Sequence, residues 1–499
     1  MNMGTVMAMK PCSTSRSILN KRMAQLAGFT LAATLFSASA WAHAFGQRYD
    51  LPLPLSLYLW SAGFVVAVSF IIAALFLRSG ELGARRRARD ISHSLFARIL
   101  NAAPVRVVFK LFSVCLLLLI LISGLSGEQD PSENFAPIFI WVIWWVGLAY
   151  IAAFIGNVWD GVNPWRVLHD ALTIVLPRWR DSVFDYPGRL ASWPALLLFL
   201  IFAYLEFISG VAQQPATLAW LVIGYSFITL TGMRLFGAET WLRHGEAFTV
   251  VFGLMARFGV FHGKGHKLQL RLPGAGLLSE QPVSLSLMAF ILLMLTTVSF
   301  DGFIETPFWS ALNTSIYTAL MSYQTIAASL APQIVQQIIL SVALLLFYLL
   351  FISVYLGFSA LTCRLSHTET NVIVTARAYV LSLVPIAIAY HLAHYLSYLL
   401  LAGQLVVPIL SDPFALGWNL FGTANYKIDI SVIDAQDVWY LSVCAIVIGH
   451  IAAVCIAHVT SLSREPRVRA AIISQLPMLV WMIAYTMISL WILSQPIIA

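Results

Sequence analysis

The stretch Tyr390-His391-Leu392-Ala393-His394-Tyr395 places two imidazoles and two phenols inside an apolar run from about Ala378 to Leu401. Histidine is costly in hydrocarbon, so an ionisable side chain at membrane depth marks a functional-site candidate. His391 and His394 stand three residues apart, which puts them on one face of a helix, and Tyr395 and Tyr398 continue that face. Other titratable groups fall at similar depth. Glu206 lies near the end of an earlier apolar run, His450 near the middle of a later one, and Asp301 and Glu305 close another. Imidazole and carboxylate together suit a divalent transition metal such as Zn, Mn, Fe or Cu. The expected ligands are His391, His394, His450 and Glu206, with Asp301 and Glu305 as the carboxylates that orient water or take its proton. The plainer alternative is a helix–helix hydrogen-bond network through Tyr390, Tyr395 and Tyr398, each bond contributing about 0.6 kcal/mol. His458 follows His450 by eight residues, about 12 Å along a helix and about 80° around it, too far to share an ion.

These groups are carried by a chain that is 60% hydrophobic and 10% charged, with a mean hydropathy of +0.84. The composition excludes a soluble domain and points to an all-α membrane protein. Residues 1–42 read as a cleavable signal peptide: a basic segment with Lys10, Arg16, Lys21 and Arg22, an apolar core from Met23 to Phe36, and Ala-x-Ala cleavage patterns at Ala40 and Ala42. A cut after Ala42 leaves His43 as the new N-terminus, whose amine and imidazole can chelate a metal together; a cut after Ala40 removes that chelate. The remaining chain, 43–499, is expected to be one polytopic domain.

Ten spans are expected, at about Leu55–Leu77, Val107–Leu125, Ile138–Gly156, Ser192–Gly210, Thr217–Leu235, Val283–Phe303, Ile334–Leu356, Ala378–Leu401, Val438–His458 and Met478–Leu493, each near the roughly 20 residues that cross hydrocarbon. The net charge of +7 follows from topology and calls for no nucleic-acid partner. Of 29 Lys and Arg, four lie in the signal; 23 fall in loops and span ends on one side, and only Arg48 and Lys427 on the other. By the positive-inside rule this sets the protein in the inner (plasma) membrane with both mature termini in the periplasm. The segment Ser310–Pro332 would upset that asymmetry as a span, so it is expected to lie at the outer surface. Glu246–Phe261 is expected to be a short amphipathic helix on the cytoplasmic side. The turn formers of Gly156–Arg166 suggest an interfacial turn anchored by tryptophans, with a second polar site around Asp160 as the alternative. Gly263-Lys264-Gly265-His266-Lys267 lacks the spacing of a phosphate loop and reads as a flexible basic loop. Of the five cysteines Cys12 falls in the signal; Cys115, Cys363, Cys444 and Cys455 form no CxxC pair and are expected to be small buried packing residues.

Four stretches carry a resemblance to a known family: His43 to Pro52, Pro385 to Tyr398 with its HxxH, Gly449-His450-Ile451 through Ala457-His458, and Ser489 to Pro496. Together they resemble bacterial polytopic membrane proteins labelled fenitrothion hydrolases, over the whole mature chain. The resemblance implies hydrolysis of a lipophilic phosphotriester to a nitrophenol and a dialkyl thiophosphate, with the substrate reaching a site among the helices from the bilayer. Composition and spacing alone fit a transporter or metal-handling protein equally well, with the same groups at mid-membrane. Whether a partner subunit takes part is not legible in the chain.

Overall fold

A helix that is apolar on every side must be surrounded either by lipid or by other helices. In the computed structural model, the segments expected to cross the membrane separate into those two kinds. The structure describes residues 51–77, 88–265, 267–279, 281–323, 329–368 and 371–498. The signal peptide, His43 and Arg85–Arg87 lie outside the described residues.

The principal helices are α1 (Leu55–Phe76), α2 (Ala103–Ser126), α3 (Phe135–Phe154), α4 (Pro164–Val175), α5 (Trp193–Phe207), α6 (Pro215–Phe236), α7 (Ala247–Ala256), α8 (Leu285–Ile304), α9 (Pro307–Ser322), α10 (Pro332–Leu365), α11 (Val384–Ala402), α12 (Ala435–Arg464) and α13 (Val468–Ile498). Among the described residues nine helices are long and apolar enough to cross a membrane, and the chain is an all-α multi-span membrane protein. The expected span Ser192–Gly210 is the short one: α5 has 15 residues, about 22 Å of helix against roughly 30 Å of hydrocarbon.

Burial sorts the spans. The most apolar stretch of α8 is 83% buried, and that of the span Val372–Ser411, which contains α11, is 72% buried. The corresponding stretches of α1, α2, α6 and α10 are only 17–28% buried and leave their apolar side chains for lipid. The two central helices are therefore those that carry Asp301 and the histidine pair. Helix α12 closes on α11 at Gly449, where a Cβ would stand 2.3 Å from the Ala389 Cβ and 2.9 Å from the Pro385 carbonyl oxygen. Only glycine permits that approach.

Helix α3 is unusual. Its centre, Ile138–Gly147, is wound as a π-helix, a form that is rare and tends to mark functional regions. It brings Trp141, Trp144 and Trp145 against Phe199, Phe202, Phe248 and Phe252, with ring centroids mostly 4.5–6.4 Å apart.

Four expectations are corrected. Helix α7 is not amphipathic: Ala247, Phe248, Val250, Val251, Phe252, Leu254, Met255 and Ala256 are all buried, so it inserts among the spans. A buried helix end needs partners for its unpaired backbone groups. Glu246 accepts the N–H groups of Phe248 and Thr249 at one end. The Arg271 guanidinium donates to the carbonyls of Ala256 (2.6 Å) and Gly259 (3.0 Å) at the other. The basic segment 261–270 is a β-hairpin, β2 (Phe261–Lys264) against β3 (Lys267–Leu270), joined by β1 (Arg89–Asp90) in the antiparallel order β1-β3-β2. Trp159 and Trp165 are buried in the aromatic cluster and do not anchor an interface, while Asn163 caps α4. Cys115 and Cys444 are exposed on their helices, contrary to a packing role. Helix α9 keeps most of its surface exposed and packs through Trp309.

Candidate functional site

The site is built where α8 and α11 face each other at the end opposite the arginine-rich loops. Asp301 stands one turn before the end of α8 and is 7% exposed. Its Oδ2 accepts the Tyr395 hydroxyl at 2.6 Å and meets His394 Nε2 at 2.8 Å. One carboxylate oxygen thus joins two consecutive side chains of α11. Gly302 leaves room for this: a Cβ there would stand 3.0 Å from the Tyr390 hydroxyl and 2.8 Å from Ile492 Cγ2.

Two more carboxylates border Asp301. Glu305, the residue that caps α8, lies within electrostatic reach of Asp301 and His394 and is open to solvent. Glu206, at the end of α5, lies beside Asp301, the Trp145 indole and the Tyr395 hydroxyl. Tyr398 sits near Glu206. Sequence spacing placed these groups at one depth, and the structure brings Asp301, Glu305, Glu206 and His394 into one neighbourhood.

The histidines diverge. His394 turns to α8, whereas His391 turns to α3, with ring centroids 5.5 Å from Trp145 and 5.7 Å from Tyr150. The Tyr395 ring lies edge-on to both, 4.8 Å from His391 and 4.7 Å from His394. Tyr150 donates to the backbone carbonyls of His391 and Leu392 at 3.3 and 3.1 Å, which fixes this part of α11 against α3. His391 is 4% exposed and its Nε2 has no hydrogen-bond partner. It lines a cavity of about 20 Å³ with Trp145, Phe199, Met255, Met294 and Thr297, room for a water molecule.

His450 belongs to a different neighbourhood. Its Nδ1 is 2.8 Å from the Ile446 carbonyl. A carbonyl accepts only, so the Nδ1 proton donates and the tautomer is set. Its ring lies 5.8 Å from Tyr485, whose hydroxyl is 2.5 Å from the Ser299 hydroxyl. His458 Nδ1 lies 2.8 Å from the Gln475 amide nitrogen, away from this neighbourhood. Among the described residues, no three His, Cys, Asp or Glu groups stand together as ligands for one ion. The expected ligand set of His391, His394, His450 and Glu206 does not converge on a point in this arrangement. His43 lies outside the described residues.

Sequence reading missed Glu246. It is fully buried and accepts the hydroxyls of Tyr225 and Thr249 besides the two backbone N–H groups of α7. Its signal was a carboxylate directly before an apolar run, the position of a helix N-cap. Trp145 and Tyr150 were also missed, because nothing in an aromatic-rich run says which rings meet a histidine.

Comparison of the chain with protein-family models, with curated proteins and with solved structures returned no match.

Proposed function

We propose that this protein is a membrane-embedded hydrolase of lipophilic organophosphate triesters, working in the inner membrane with its site toward the periplasmic side. The observation that carries the reading is the buried Asp301–His394 pair with Tyr395 on the same carboxylate oxygen. A carboxylate that fixes an imidazole is the minimal machinery for drawing a proton from water. In the proposed step, a water oxygen forms a bond to phosphorus, its proton passes to the Asp301–His394 pair, and the bond to the aryloxide breaks. The aryloxide leaves with its electron pair as a nitrophenolate, and the phosphorus product is a dialkyl thiophosphate. Glu305, open to solvent at the end of α8, receives the proton and passes it outward. The family resemblance and the charge asymmetry of the loops support the substrate class and the orientation.

The test is nitrophenolate release from fenitrothion by purified protein and by Asp301→Asn. The variant is expected to lose activity while keeping its melting temperature; full activity in Asp301→Asn sinks the assignment. The metal-assisted form of this chemistry, expected with His391, His394, His450 and Glu206 as ligands, would need side chains that here turn to different helices, and no step is routed through a metal. Metal analysis of active protein, with and without the His391/His394 double substitution, decides whether one takes part.

A transporter is the second reading. It is favoured by the location of the cluster: four titratable groups sit within a helical bundle rather than in an aqueous domain. Uptake by proteoliposomes, measured beside hydrolysis, separates the two.

A further inference from the structure

One loop at the site end of the bundle is built unlike a water-facing loop. After α11 the chain passes through the short helix Val406–Ser411 into residues 412–434, and α12 begins at Ala435. From Pro413 to Tyr426 this connection carries no charged side chain. It exposes Leu416 (64%), Leu420 (60%) and Phe421 (70%), and Trp418 and Tyr426 are exposed beside them. Apolar side chains held in water are unfavourable in proportion to their area, and a cluster of them marks a contact surface.

Most backbone donors of the loop are paired within it. Asp412 accepts the N–H groups of Leu416 (2.9 Å), Gly417 (2.6 Å) and Trp418 (3.0 Å). Buried Ser411 accepts that of Leu420 on its carbonyl (3.1 Å) and that of Phe421 on its hydroxyl (3.0 Å). The Asn419 side chain accepts from the Ala424 N–H at 3.0 Å, and the Thr423 carbonyl from the Tyr426 N–H at 3.0 Å. Gln404 accepts the Tyr426 hydroxyl at 2.9 Å and the Asp429 N–H at 2.8 Å. Backbone groups that leave water must find such partners. A loop that pairs its own donors while turning Leu, Trp and Phe outward suits the boundary between headgroups and acyl chains, where Trp and Tyr are favoured.

The surroundings name the occupant. Both ends of the loop are tied to spans, Val372–Ser411 and Ala435–Arg464, that end at this membrane face. Tyr440, Leu441 and Ile448 are exposed on the second of them, where lipid covers them, and Ile430 and Val432 continue that apolar exposure along the chain into the loop. We infer that the loop Pro413–Tyr426 is a membrane anchor, seated in the leaflet opposite the arginine-rich loops. Leu416, Trp418, Leu420 and Phe421 lie among the upper acyl chains, and Lys427 reaches the phosphates of the headgroups. The anchor holds the end of α11 that follows the histidine pair at the lipid surface, whatever reaction the site performs.

The experiment places a nitroxide on Phe421→Cys and, separately, on Leu416→Cys. The full-length chain is reconstituted in phospholipid vesicles, in a background whose native cysteines are serine and whose thermal midpoint matches that of the native chain. Collision with oxygen, which concentrates among acyl chains, is compared with collision with a water-soluble nickel chelate. Glu133→Cys, on an exposed loop at the same end of the bundle, is the water-facing reference. The oxygen-to-nickel ratio is expected to be several-fold higher at Leu416 and Phe421 than at Glu133. Ratios equal to that of Glu133 overturn the inference, because the loop then lies in water. Labels closed to both oxygen and nickel also overturn it, because a second copy or another protein then covers the face. If the labelled chains fail to fold, Trp418→Phe decides with the native cysteines in place. The fluorescence that this substitution removes is expected to be quenched by brominated acyl chains and spared by iodide; quenching by iodide alone overturns the inference.

Discussion

Asp301 and Glu246 are both carboxylates buried in the bundle, yet their surroundings differ in kind. Glu246 receives donors only: two backbone N–H groups from the first turn of its own helix and the hydroxyls of Tyr225 and Thr249. Asp301 receives a hydroxyl and an imidazole from another helix, has Glu305 and Glu206 as neighbours, and stands beside a cavity lined by an unpartnered histidine. A group surrounded by fixed donors completes a helix end. A group surrounded by like charges and a proton carrier is costly to assemble, and such arrangements are kept at sites of chemistry.

That contrast can be broken by substitution. The largest effect is expected from His394→Ala, which removes the imidazole and leaves Asp301 in place. Nitrophenolate release should fall by about 10²–10⁴-fold, the range for a lost general base, with the fold retained by circular dichroism. Glu246→Ala should do the opposite. It leaves a tyrosine, a threonine and two backbone donors without an acceptor and should destabilise the protein by about 3 kcal/mol or more, seen as a lower thermal midpoint in detergent. Activity per folded molecule should be unchanged.

Much of this layout was legible before any coordinates. Apolar runs of about 20 residues declare spans, and an ionisable group inside one is conspicuous, so Asp301, Glu206, His391 and His394 stood out. What spacing cannot give is rotation. His391 and His394 are close on a helical wheel, yet His391 packs against Trp145 and Tyr150 of α3 while His394 meets Asp301 of α8. His450 has suitable chemistry and depth, but close packing at Gly449 and a hydrogen bond to its own helix point it at Tyr485. Glu246 was illegible for another reason. The segment Glu246–Phe261 reads as a short amphipathic helix on the cytoplasmic side, too short to cross, which leaves its first residue in water. Its burial depends on α7 folding back among the spans, a tertiary event with no periodic signature.

Smaller effects sharpen the same contrast. Tyr395→Phe removes one of the two contacts to Asp301 Oδ2 and should slow turnover about tenfold, the worth of one hydrogen bond to a charged group, measured as kcat for the triester. Glu239 gives the smallest change. It lies outside the spans, on the arginine-rich side, where a hydrogen bond from Arg166 at 2.8 Å holds its carboxyl below the usual glutamate range. A lowered value means that its contribution is present above the ordinary glutamate pKa and is lost as pH falls through the lowered one. It is well exposed, so Glu239→Gln should lower the thermal midpoint only slightly at pH 7, with the difference vanishing in acid and turnover untouched.

The most direct measurement sets Asp301→Asn beside Glu246→Gln. Each replaces one buried carboxylate with its amide, and each is assayed for nitrophenolate release per folded molecule. The expected result is that Asp301→Asn is inactive at near-normal stability, while Glu246→Gln is less stable and fully active. Equal activity in the two variants, or loss in Glu246→Gln alone, would contradict the division of the bundle into a reactive carboxylate and a structural one.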